Sequence, residues 1–307
     1  MKIALFILHI FIFVAVSPFL SGVITKIKNS IRMRRGQSVF QPYYNLVKLF
    51  SKEEVVSDTA SWIFRYSPFV VISSSLAASL LIPVFIYSHT SLFLMGDFLA
   101  LIFIFSLGRF FLALAALDTG SAFGGMGSSR EMFISSLVEP VVCLVVFAIF
   151  LQFGSTNIEA FSGMHPVSVS SLAAAIALFF VVIAETSRIP VDNQETHLEL
   201  TMVHEAMVLE YSGKSLALIE LAAYIKQMVW FFLLAQVIFP IRVPLSFDLL
   251  QFFCWICWYL ARILIILISV ALLEVSVAKM RLFRVADFLG FSFVLAFVAV
   301  VCAIMGV

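Results

Sequence analysis

Residues 97–117 read DFLALIFIFSLGRFFLALAAL, an apolar run broken only by Arg109 after its opening acid. About 20 mostly apolar residues in a helix match the hydrocarbon thickness of a bilayer, so this stretch predicts a membrane-spanning helix. The rest of the chain repeats the pattern. Apolar residues make up 63% of its 307 positions, Phe alone accounts for 34, and the mean hydropathy is +1.11. That is more than a water-soluble core can enclose. Seven further segments meet the same length requirement: residues 3–22, 66–88, 132–152, 167–185, 217–240, 249–273 and 286–306. The chain therefore reads as an all-α polytopic membrane protein with about eight transmembrane helices in one integral domain, residues 1–307. The first span has only Lys2 before it and no small-residue cleavage pattern where Ser21-Gly22 leads into Lys26 and Lys28, so it is expected to be retained.

Charge is distributed unevenly about these spans. The first connection, residues 23–65, carries Lys26, Lys28, Arg32, Arg34, Arg35, Lys48, Lys52 and Arg65, whereas the connections after even-numbered spans offer only Arg242. The positive-inside rule then places the odd connections in the cytoplasm and both termini on the outer, periplasmic side. The localisation expected is a multi-pass protein of a membrane that borders the cytoplasm. The basic run is explained by topology and contact with the lipid bilayer, and it implies no nucleic acid. Its second half has Leu46, Leu49 and Phe50 at helical spacing, which predicts an interfacial helix lying on lipid or forming a floor for a docked hydrophilic subunit.

The four cysteines all fall in spans, and Cys254 and Cys257 lack the strand-helix context of a redox pair. No cysteine set fits an iron–sulfur cluster and no glycine-rich loop fits a nucleotide, so no cofactor and no metal are expected on this chain. The ionisable groups gather instead in the fifth connection, residues 186–216, and at its edges. Seven carboxylates fall between 185 and 220: Glu185, Asp192, Glu195, Glu199, Glu205, Glu210 and Glu220. Pro190 is expected to end the fifth span, and a new helix starting near Asp192 would put Asp192, Glu195 and Glu199 on one face, with His197 and His204 on another. Such a cluster is a solvated helix face or a funnel of coupled carboxylates. Flanking spans favour the funnel, because clustered and partly buried acids raise one another's pKa towards neutrality. His197 and His204 would be proton shuttles or structural hydrogen-bonding groups. Glu131 and Glu139 share a face of the fourth span, and Arg109 and Arg262 are the intramembrane cations available to pair with acids, Arg109 with Glu139 and Arg262 with Glu274.

Ala184-Glu185-Thr-Ser-Arg188-Ile-Pro190-Val-Asp192, continuing through Glu195 and Glu199 to Glu210-Tyr211-Ser-Gly213, resembles the signature of the complex I subunit 1 family, the membrane heel of NADH:quinone oxidoreductase. Leu117-Asp118-Thr-Gly120-Ser-Ala-Phe-Gly124 through Arg130-Glu131 resembles its hydrogenase branch, found in formate-hydrogenlyase and hydrogenase-4 complexes. Gln37 stands where the family pattern expects Pro, and His197 replaces one acid of the usual run. The resemblance implies that Glu139, Glu185, Glu195, Glu199 and Glu210 match acids of a proton path, with Arg35, Arg130, Arg188 and Asp192 as charges around the same cavity. It also implies a non-catalytic membrane anchor and coupling subunit of an oxidoreductase complex. The implied partners are a nickel–iron-hydrogenase-like large subunit, iron–sulfur subunits and antiporter-like membrane subunits. Two other readings stay open, a purely structural anchor and an independent ion or solute transporter, though the chain has no internal repeat of the kind many transporters show.

Overall fold

The computed structural model describes residues 2–57, 59–82, 97–158, 168–192, 202–239 and 249–306. Among them the chain forms α1 (Lys2–Ile31), α2 (Gln41–Phe50), α3 (Trp62–Leu80), α4 (Phe98–Asp118), α5 (Ala122–Phe153), α6 (Val169–Glu185), α7 (His204–Val208), α8 (Gly213–Ile238), α9 (Leu249–Ser276) and α10 (Leu282–Met305). Seven of these are long and apolar enough to cross a membrane, and α6, with 17 residues, is apolar but shorter. They fall on the eight predicted spans. Several run beyond the apolar stretch, because a helix ends where its backbone is capped and not where hydrophobicity fades. Ser121 takes the Gly124 N–H at 3.1 Å and starts α5 well before residue 132. Asp97 likewise caps α4 by accepting from Leu99 N–H at 3.0 Å.

α8 is the centre of the bundle, with 61% of its most apolar window buried against 28% for α10. It packs against α1, α3, α6 and α9, while α10 lies on α5 and α6. Small residues let α6 and α10 approach closely. Ala173, Ala174 and Ala177 are buried on α6, Ser170 donates to the Ala299 carbonyl at 2.7 Å, and Ser292 donates to the Ala177 carbonyl at 3.0 Å. Between lipid-facing helices, close van der Waals contact and such hydrogen bonds replace the hydrophobic drive of water. The helix expected around Leu46, Leu49 and Phe50 is α2. It buries Leu46 against the bundle and leaves Tyr44 and Val47 exposed.

One membrane helix, α3, contains a proline whose orphaned carbonyl is satisfied by a tyrosine from elsewhere. Pro68 within α3 has no N–H, so the carbonyl of Phe64, four residues earlier, loses its helical donor. Tyr211 supplies the replacement, its hydroxyl donating to the Phe64 carbonyl at 3.1 Å while its ring stacks on Phe64 with centroids 4.0 Å apart. Burial pushes the Tyr211 phenol above its ordinary range, which keeps it a donor. In α1, which contains Pro18, the Tyr43 hydroxyl from α2 donates to the Ala15 carbonyl. Tyr211→Phe keeps the stack and orphans the carbonyl. It is expected to cost about 1–2 kcal/mol, seen as a lower thermal unfolding midpoint, and Tyr211→Leu is expected to lower the midpoint further.

Candidate functional site

Arg109 sits near the middle of α4 with its side chain only 7% exposed. A guanidinium so placed must be compensated by charge and hydrogen bonds, and the neighbouring helices provide both. Its Nη2 donates to both oxygens of Glu185, at the end of α6, at 2.5 and 2.6 Å. Nη1 reaches the Ser135 hydroxyl and, at 3.4 Å, Glu139 Oε1, while Nε lies 3.8 Å from Glu131 Oε1. Glu131, Ser135 and Glu139 are spaced by four residues, so α5 presents all three on one face. Glu139 also accepts from Ser106 at 2.9 Å and from Ser135 at 3.2 Å. Lys226 of α8 completes the group, its ammonium 2.8 Å from Glu185 Oε2 and above the Phe105 ring. Three carboxylates thus face two cations where α4, α5, α6 and α8 meet. Beside them is a cavity of about 90 Å³ lined by Arg109, Glu131, Glu185, Lys226, His204 and Gln227. The amide nitrogen of Gln227 is buried there without a partner among the described residues. The space admits several waters, each of which needs at least roughly 10–15 Å³.

A second cluster adjoins the first. Glu274 of α9, only 4% exposed, pairs with Arg188 Nη1 at 2.7 Å and with Lys28 of α1 at 3.3 Å. Asp192 takes the Lys279 ammonium at 2.7 Å on one oxygen, and on the other the backbone N–H groups of Val203 (3.3 Å) and His204 (3.1 Å). The Met280 N–H donates to the carbonyl of Pro190, whose peptide bond to Ile189 is cis. These contacts join α1, the segment after α6, and the turn between α9 and α10. They border an open polar cavity of about 590 Å³ whose wall also includes Arg35, Asn29 and Asn45. Ser21, Ser187 and Tyr224 line both cavities, so the first cluster adjoins the second cavity.

Comparison with known proteins decides the family. The sequence matches the NADH dehydrogenase family over residues 3–305. The chain belongs to the NADH dehydrogenase subunit 1 family. Among curated members it is 32% identical to hydrogenase-4 component C of Escherichia coli K12, over 92% of this chain and 90% of that one. It is 31% identical to formate hydrogenlyase subunit 4 of the same organism, over 94% and 95%. An NADH-quinone oxidoreductase subunit of Paraburkholderia phymatum is 27% identical over 75% of this chain and 68% of its own. A chain in the structure of the membrane-bound sulfane sulfur reductase, an archaeal respiratory membrane complex, superposes with a TM-score of 0.81. That match covers 99% of this chain and 100% of the other at 20% identity, and it speaks for the fold.

Within this family member, the structure gathers some of the residues singled out by sequence and disperses others. Glu139 and Glu185 meet at Arg109, Arg188 and Asp192 belong to the second cluster, Arg35 lines the open cavity and His204 the enclosed one. Arg130 donates to the Met202 carbonyl at 2.9 Å and so anchors the chain entering α7. Glu210 is exposed beside Tyr211 and lines neither cavity. Glu195, His197 and Glu199 lie outside the described residues, as does most of the helix expected to start near Asp192. The pairing of Arg262 with Glu274 does not occur. Both are on α9, twelve residues and about 18 Å apart along the axis, and Arg262 donates instead to the Phe239 carbonyl at 2.7 Å at the end of α8. Arg109 does pair with Glu139, but Glu185 is its nearer partner. Lys226, Lys28 and Lys279 are partners of the acids that sequence reasoning does not single out. For Lys226 the available signal is an ionisable residue inside an apolar span, which is itself a reason to expect function.

Proposed function

We propose that the chain is the membrane anchor and coupling subunit of a hydrogenase-4 or formate-hydrogenlyase-like redox complex of a bacterial or archaeal inner membrane. Its relatives are membrane subunits of multisubunit assemblies. The partners would be a nickel–iron-hydrogenase-like large subunit, iron–sulfur subunits and antiporter-like membrane subunits, with the redox groups on those chains and none on this one. The observation that carries the reading is the convergence of Glu131, Glu139 and Glu185 on Arg109 and Lys226 beside a cavity that adjoins an open polar one. Three acids against two cations leave one negative charge for a proton or a sodium ion to neutralise. These groups lie within a few ångströms of one another, so a charge change at the open cavity would alter the electrostatic balance of the whole set. Redox turnover in a docked subunit would supply that change. Arg109 and Lys226 would then redistribute their contacts among the carboxylates, releasing an ion from Glu139, whose side chain is 45% exposed.

Glu139→Gln in the intact complex tests this. Because Glu139 is only partly buried, assembly and electron transfer are expected to persist while redox-linked ion uptake into vesicles falls to background. Glu210→Gln, at the exposed position, serves in parallel as a test of the path implied by the family. Unchanged ion uptake in assembled Glu139→Gln complexes would overturn the reading. Loss of assembly before any change in uptake per complex would favour a purely structural anchor.

A further inference from the structure

The start of α3 borders a second open groove, of about 760 Å³, that has no part in the charge clusters above. Trp62, Tyr66 and Phe69 stand on its wall, exposed by 66%, 62% and 57%, at the i, i+4 and i+7 spacing that places them in one row. The row spans about 10 Å from the first turn of a membrane helix inwards, the depth at which tryptophan and tyrosine rings settle between headgroups and acyl chains. Arg65 projects into the same groove and makes no hydrogen bond or ion pair among the described residues. Glu54 lines the same groove, held in place by the Ser215 hydroxyl. Two of the amides at the helix start are already used, with Ser61 N–H on Asp118 Oδ2 at 2.7 Å and Ile63 N–H on Ser61 Oγ at 3.2 Å. Arg65 supplies the cationic side chain of the groove.

We propose that this groove binds one phosphoethanolamine lipid, with Arg65 holding the phosphate, Glu54 the ammonium, and the rings of Trp62, Tyr66 and Phe69 the glycerol and the upper acyl chain. The pair of opposite charges selects the headgroup. A guanidinium fork matches two phosphate oxygens, and a primary ammonium offers N–H donors to a carboxylate. A choline headgroup has no N–H to give, and an anionic headgroup without an ammonium would place its charge against Glu54 and the nearby Asp118.

The test uses the purified complex containing the full chain, reconstituted in nanodiscs with equal phosphoethanolamine and phosphocholine lipid, then stripped gently with detergent before retained lipid is measured by mass spectrometry. Wild type is expected to retain phosphoethanolamine lipid enriched about tenfold over phosphocholine, the factor that one charge-assisted hydrogen bond supplies. Arg65→Gln is expected to lose the retained lipid, and Glu54→Gln to retain lipid in the ratio of the surrounding bilayer. Arg65 is exposed, so its substitution leaves the fold intact. Equal retention by all three proteins would overturn the proposal. So would a photo-crosslinker at Tyr66 that captures another subunit in place of lipid.

Discussion

Arg109→Gln is expected to abolish stable accumulation of the protein in its membrane. The substitution removes the cation that touches Glu131, Glu139 and Glu185 and leaves Lys226, which pairs with Glu185, as the remaining cation of the cluster. Breaking a buried ion pair from one side costs about 3–5 kcal/mol, because the surviving charge stays buried without compensation. Domains have only about 5–15 kcal/mol in total, so the bundle would lose a large part of its stability where four helices meet. The effect is separable from loss of packing. Adding Glu185→Gln to Arg109→Gln removes the most buried of the stranded acids and is expected to restore a substantial part of the unfolding midpoint, a non-additivity that a double-mutant cycle reads directly. A wild-type midpoint for Arg109→Gln alone would mean that the three acids do not depend on it.

Glu274→Gln is expected to be comparably damaging for the opposite reason, since here one acid serves two cations. Glu274 is buried between Lys28 and Arg188, and its neutralisation leaves two positive side chains, both largely enclosed, facing one another. A loss of about 3–5 kcal/mol follows from the same physics. The position differs from Arg109 in what it holds, because Lys28 lies on α1 and Arg188 on the segment after α6. Limited proteolysis should therefore report cleavage between α6 and α7 in Glu274→Gln before the bundle itself unfolds. Lys28→Met in the same background is expected to recover stability. If protection of that segment is unaffected, the two cations are held by other contacts.

Hydropathy makes the membrane helices legible because a span must be apolar over a fixed length, and that requirement is written in consecutive residues. It does not give their true ends. α5 begins at Ala122, within a run of glycines and serines that reads as a loop, because Ser121 supplies a cap and Gly127 lets α7 approach, with Ala206 and Met207 in contact. The acids at 139 and 185 are visible as charges in apolar surroundings, and Arg109 is visible as a cation available to them. That Lys226 reaches Glu185 is not, because the pairing depends on how α6 and α8 pack, and spacing along the chain carries no trace of it. The expected pairing of Arg262 with Glu274 fails on helix geometry alone. Asp192 reads as a capping residue, and its role is related but displaced: it receives the N–H groups of Val203 and His204, eleven and twelve residues onward.

The tyrosine that completes the proline break of α3 has a consequence for biogenesis. Phe64 and Tyr211 are separated by 147 positions, so when ribosomal synthesis delivers α3 to the bilayer the residue that satisfies its open carbonyl does not yet exist. Until then the exposed backbone oxygen must find water or remain near the insertion machinery, since hydrocarbon offers it no donor. α3 can reach its final contacts only after the chain has passed through four more helices and returned. The order of assembly is thereby tied to the order of translation: truncations ending before Tyr211 should yield an α3 that is inserted yet accessible to aqueous labels at the proline, and extension past that residue should close it.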